Sequence, residues 1–139
     1  MSHKSIMRQI RKYEKLKSET EEELKIYEKR LENLLAFKAR FISGKEEFDY
    51  NINHRRVRAE NVGSISKHIK SGQAYCKGML EDLTGEKYQM AIKNINSISE
   101  SIEIVIRCLE EKIEDLKAQI AEYDRIIEDL YDELDRDDD

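Results

Sequence analysis

The chain has 139 residues, of which 40% are charged, with five glycines, no proline and no tryptophan. Such a composition belongs to long helices, and apolar residues that fall singly at helical intervals build seams between helices instead of a thick globular core. A formal net charge of −5 argues against nucleic acid as the main partner, because phosphate binding needs a basic face that releases counterions.

The charge is unevenly placed. Residues 1–17 carry six Lys or Arg against one Glu, whereas residues 110–139 carry fourteen acids against four bases. The two ends should therefore attract, and pairing within the chain is a simpler use for the basic start than an anionic membrane. No apolar run approaches the roughly 18 residues of a membrane span, and the first residues lack the apolar stretch of a cleavable signal. The expectation is a soluble protein made in the cytoplasm.

The first predicted element is an arm over residues 3–42. Alternating steps of three and four from Ile6 reach Ile10, Tyr13, Lys17, Thr20, Leu24, Tyr27, Leu31, Leu34, Lys38 and Phe41, with eight of the eleven apolar. Lys17 and Thr20 interrupt this seam as weak or register-setting positions. Residues 43–83 look less regular, because Gly44, Gly63, Gly72 and Gly78 all fall there. Val62, Ile65 and Ile69 suggest one short amphipathic piece and Cys76, Met79, Leu80 and Leu83 a second, with Ser71 and Gly72 as the stop between them.

A turn at residues 83–85 leads into a last arm over 86–135, followed by an acidic tail over 136–139. Thr84 is placed to cap this arm and Glu86 to face its positive end. From Tyr88 the same count gives Ile92, Ile95, Ser99, Ile102, Ile106, Leu109, Ile113, Leu116, Ile120, Tyr123, Ile127, Leu130 and Leu134, with thirteen of fourteen apolar. A seam held for six heptads identifies a coiled coil, roughly 75 Å long as a helix.

Both seams widen toward the middle segment, through Leu35, Phe37 and Ile42 in the first arm and Ala91, Ile98 and Val105 in the last. The fold expected is all-α: a single elongated domain in which two long helices form an antiparallel coiled-coil hairpin and a shorter helical segment packs at one end. An up-down-up bundle of three similar helices is the alternative, but it separates the oppositely charged ends.

The candidate sites for chemistry are poor. His3, His54 and His68 lack metal-ligand spacing, and Cys76 and Cys108 lie among apolar helical positions as reduced packing residues. His68-Ile69-Lys70-Ser71-Gly72 has a slight likeness to a phosphotransfer motif, with its Lys and Gly out of register. The acids spread over helix faces without a nucleophile or phosphate loop beside them. No enzyme, cofactor or metal is implied.

Two local features point further. Leu83-Thr84-Gly85 precedes the long helix, and Tyr131 and Asp135 stand four apart near its end. The first resembles a W-x-G turn with Leu83 in place of Trp, and the second fits the Y-x-x-x-D/E pattern of type VII secretion. The chain thus resembles the small coiled-coil partner proteins that accompany LXG-type polymorphic toxins in the ESX-like family. The resemblance spans nearly the whole chain as architecture and rests on few letters. It implies a chaperone or targeting partner that lies along the helical amino-terminal domain of a toxin, alone or with a second small helical protein, and helps present it to the export machinery, either staying in the cytoplasm or leaving with it. Leu83 and Gly85 would shape the turn, Tyr131 and Asp135 would form part of the export signal, and the partner would rest on Ile98, Ile104, Val105 and Ile126, which lie off the narrowest seam. The rival is a structural coiled-coil adaptor or spacer that uses the seam for a homodimer.

Overall fold

The computed structural model describes residues 2–65 and 67–137. Three helices occupy them in the order α1 (His3–Ile65), α2 (Lys70–Thr84) and α3 (Glu86–Asp137). The fold is all-α, an antiparallel helical hairpin with a shorter helix between its long arms. Packing divides the chain into two compact units, the first made of residues 1–35 and 105–139 and the second of residues 36–104. Of the acidic tail, Asp138 and Asp139 lie outside the described residues, and Arg136 and Asp137 continue α3.

In unit 1, α1 starts under a cap from Ser2, whose hydroxyl accepts a hydrogen bond from the Ser5 amide at 3.2 Å, supplying an acceptor that the first turn lacks. Ile6 and Ile10 then bury themselves against Leu130, with Met7, Tyr13, Ile126 and Leu134 packed around them. Farther along, Lys17 reaches Asp124 at 2.6 Å and Lys112 reaches Glu23 at 3.8 Å. The Tyr13 and Tyr123 rings lie 6.1 Å apart. Residue numbers on α1 rise as those of their partners on α3 fall, so the two arms run antiparallel and the basic start lies beside the acidic end.

The two interruptions of the first seam find different solutions. Thr20, only 7% exposed, turns its hydroxyl back to the Leu16 carbonyl at 2.8 Å, so no polar atom is stranded. Lys17 keeps its ammonium at the edge, where Asp124 holds it.

Unit 2 departs from the expected broken middle. Helix α1 does not end near Phe41 but runs through Gly44 to Ile65, since an exposed glycine costs a helix only about 1 kcal/mol and the apolar spacing of Phe48, Ile52 and Ala59 continues the seam. Pairing with α3 continues too, through Lys38 to Glu103 at 2.6 Å and the stacked rings of Phe48 and Tyr88 at 6.4 Å. The stop before α2 includes residues 67–69, and Ser71 and Gly72, expected to break the chain, sit in the first turn of α2. Gln73 explains this position of the turn: its side-chain amide donates to the Gly63 carbonyl at 2.8 Å, serving one of the acceptors that the end of α1 leaves open.

The α2–α3 joint is one residue wide. Thr84 does not cap α3, because its hydroxyl donates back to the Leu80 carbonyl at 2.6 Å. Gly85 takes an ordinary extended conformation, yet a Cβ there would stand 2.6 Å from the Glu81 carbonyl oxygen. Close approach of backbone to backbone requires glycine here, as the turn reading anticipated for a different reason.

Candidate partner-binding surface

Burial divides the expected partner residues. Leu83 is 3% exposed, and Ile126 packs against the Ile6, Ile10 and Leu130 cluster. Leu83 therefore holds this chain together and offers no surface to another, and Ile126 spends part of its surface in the same way. Gly85 is half-buried at the joint. Ile98, Ile104 and Val105 remain exposed at 44%, 55% and 47%. Ile98 and Ile104 belong to unit 2, and Val105 to unit 1.

The exposed apolar side chains are unevenly shared between the units. Among the described residues, Ile26, Leu35, Val105 and Tyr131 are the large exposed hydrophobics of unit 1, and all the others, from Phe37 to Ile104, fall in unit 2. Conversely, Ala59, Leu83 and Ile102 are the buried hydrophobics of unit 2, whereas Ile6, Ile10, Ile106, Ile113, Leu116 and Leu130 serve unit 1. Two units of nearly equal length thus differ in how far they satisfy themselves. The apolar side chains left in solvent are therefore concentrated in unit 2.

Sequence periodicity overlooked one row of these residues. Ile42, Tyr50, Val57 and Ile65 are all exposed on α1 of unit 2. They are spaced by 8, 7 and 8 residues, a signal lost once the first arm was expected to end at residue 42.

Tyr131 is 43% exposed and donates its hydroxyl to the Glu14 carboxylate at 3.2 Å. That negative neighbour, through its charge and then the hydrogen bond, raises the phenol above its usual value. Lys17 is raised as well, first by the hydrogen bond to Asp124. Asp135 is exposed one turn after Tyr131 on α3, so the pair shares one face of the helix.

Cys76 and Cys108 are free thiols. Cys76 is half-buried against Gly63, but Cys108 is exposed and does not pack as expected. His68 lies in the turn between α1 and α2, not on the helix face that a phosphotransfer histidine uses. Among the described residues no group of three or more His, Cys, Asp or Glu could hold a metal ion, and no helix is long and apolar enough to cross a membrane.

A groove of about 430 Å³ in unit 1 runs over Leu31, Leu35 and Ile113 and is also lined by Glu28, Glu32, Glu110, Glu114 and Lys117. Comparison with protein families, with characterised proteins and with solved structures finds no match to the chain.

Proposed function

We propose that the protein is a non-enzymatic helical binding protein, acting as chaperone or targeting partner of an LXG-type toxin exported by a type VII system. The observation that carries this reading is the concentration of exposed apolar side chains in unit 2, Ile98 and Ile104 of α3 among them, while the seam between the arms is filled from within the chain. Ile98 and Ile104 lie about 120° apart around α3, so each suits an amphipathic partner helix with anchors at i, i+3 and i+4 on its own side. The identity of the cargo rests on the resemblance of Leu83-Thr84-Gly85 and of Tyr131 with Asp135 to the toxin-partner pattern. In this reading the protein is made in the cytoplasm and leaves with its cargo, and Tyr131 and Asp135 act in export, not in assembly.

Co-expression with the helical amino-terminal domain of an LXG toxin tests the proposal. A soluble heteromeric complex is expected, and Ile98→Asp with Ile104→Asp should weaken it by about tenfold or more, since each buried Ile contributes roughly 1.5–3 kcal/mol. Tyr131→Ala should leave the complex intact and lower its export. If the toxin domain elutes separately from the folded protein, the partner assignment is wrong.

A further inference from the structure

The groove in unit 1 is built from two matching walls. Glu28, Leu31, Glu32 and Leu35 line it from α1, and Glu110, Ile113, Glu114 and Lys117 line it from α3. Both sets follow the spacing i, i+3, i+4, i+7, which keeps each within about 100° of its helix surface, a stripe roughly two turns long. Ile113 is 6% exposed and Leu35 46%, so the groove is apolar at its base and open to solvent beside Leu35.

Charge identifies the kind of occupant. Of the five charged residues that line the groove, four are acids. Lys29 holds Glu32 at 3.6 Å and Lys117 holds Glu114 at 3.8 Å. Among the described residues Glu28 and Glu110, one on each wall, enter no ion pair. The adjoining surface of α3 is acidic as well, because a second hollow of about 350 Å³ is lined by Arg107, Glu110, Glu111, Glu114 and Asp115. Among the described residues no three of these acids gather to hold a metal ion. Such a field repels nucleic acid and anionic lipid and attracts a cationic partner.

The apolar base requires that this partner also bring apolar side chains. It must be helical too, since the walls present only side chains, and an extended segment pressed between them would strip water from backbone groups that find no new partner. The chain's own basic start does not meet these terms, for Ile6 and Ile10, the apolar side of that segment, are already buried against Leu130.

We infer that the α1–α3 groove of unit 1 docks a basic amphipathic helix of another protein, whose apolar anchors rest on Leu31, Leu35 and Ile113 and whose Lys or Arg side chains reach Glu28 and Glu110. Two turns of groove take anchors at i, i+3, i+4 and i+7 of the incoming helix, which then lies as a third helix along a coiled-coil pair. The inference draws on unit 1 alone, whereas the toxin-partner reading draws on Ile98 and Ile104 of unit 2, so either can fail without the other.

Peptide binding tests both the groove and the sign of its partner. The probe is a fluorescent helical peptide of about 15 residues, with Leu at i, i+3, i+4 and i+7, Lys beside them and Ala elsewhere. Its counterpart carries Glu in place of Lys. The native protein should bind the Lys peptide and not the Glu peptide, with a dissociation constant that rises with salt. Glu28→Lys with Glu110→Lys should weaken binding by about tenfold or more, two attractions having become repulsions. Glu19→Lys with Glu22→Lys makes the same change in net charge on exposed residues of α1 that do not line the groove. That variant should alter binding by less than about threefold, because salt screens distant charges. Leu35→Asp should weaken binding by about tenfold although it adds negative charge, because it removes an apolar anchor. Each variant should keep its helical circular dichroism. Failure to bind the Lys peptide overturns the inference, and so does equal weakening by the two reversals, which would mean attraction to the acidic chain as a whole. Binding that Leu35→Asp leaves unchanged overturns the apolar anchoring. If the native protein alone sediments above its chain mass of 16.5 kDa and the Glu28→Lys, Glu110→Lys variant does not, the occupant is a second copy and the inference fails.

Discussion

Gly63 and Gly85 show why residues of one kind need separate explanations. A Cβ on Gly63 would lie 2.7 Å from the Cys76 sulfur, the movable end of a side chain. Gly63→Ala should therefore cost about 1–3 kcal/mol from overpacking, and most of that cost should vanish in a Cys76→Ala background. Denaturant melts of the four proteins measure the coupling, and equal costs in both backgrounds would contradict this view of the α1–α2 contact. No side-chain change relieves Gly85, where the obstacle is backbone. Two other residues make unit 1 sensitive to alkali. Lys17 and Tyr131 hold their protons more tightly in the folded chain than at their ordinary values of 10.5 and 10.0. Their contribution is therefore complete below pH 10.0 and is lost as pH rises through the folded values. The melting temperature gap between the native protein and a Lys17→Met, Tyr131→Phe variant should narrow with rising pH in that range. A gap that widens there reverses the assigned sign.

At the scale of the helix, the heptad pattern is the strongest guide to burial. All fourteen seam positions from Tyr88 to Leu134 and all eleven from Ile6 to Phe41 are buried or half-buried. Even the polar members obey, because seam position is set by angle around the helix, while chemistry decides only how each side chain is accommodated. Thr20 can be improved for that reason. Its hydroxyl bonds a carbonyl of its own helix, which the backbone ladder also serves, so removing it strands nothing. Thr20→Val should raise the stability of unit 1 by up to about 1 kcal/mol, since a buried methyl replaces a hydroxyl. Chemical denaturation measures the change, and a loss above 1 kcal/mol, as when a buried partner is left unsatisfied, would mean that the hydroxyl has a further partner.

Across the whole molecule, stability should differ between the units, because unit 1 holds most of the buried apolar residues and unit 2 most of the exposed ones. Local opening is easiest where few apolar contacts must be broken. Amides of α2 and of α1 beyond Gly44 should accordingly exchange with deuterium sooner than those of residues 6–31 and 106–134. Exchange at one common rate throughout would show a single cooperative unit.

By itself the sequence determined that two long helices pair, where their heptad seams run and how the basic and acidic ends meet, because each follows from spacing along one helix or from charge that needs no precise geometry. It also picked out Ile98, Ile104 and Val105 as surplus to the seam. Tertiary structure decided where α1 stops, which of the surplus residues stay outside, and why Gly85 is glycine. Those outcomes depend on contacts between residues far apart in the helical count: Gln73 reaching Gly63, Leu83 and Ile126 finding cover, and the Glu81 carbonyl meeting the joint. A glycine in a sequence signals only that a helix is weaker there. Whether it breaks depends on what packs across from it, and in α1 the continued pairing of Lys38 with Glu103 and of Phe48 with Tyr88 holds the helix past Gly44.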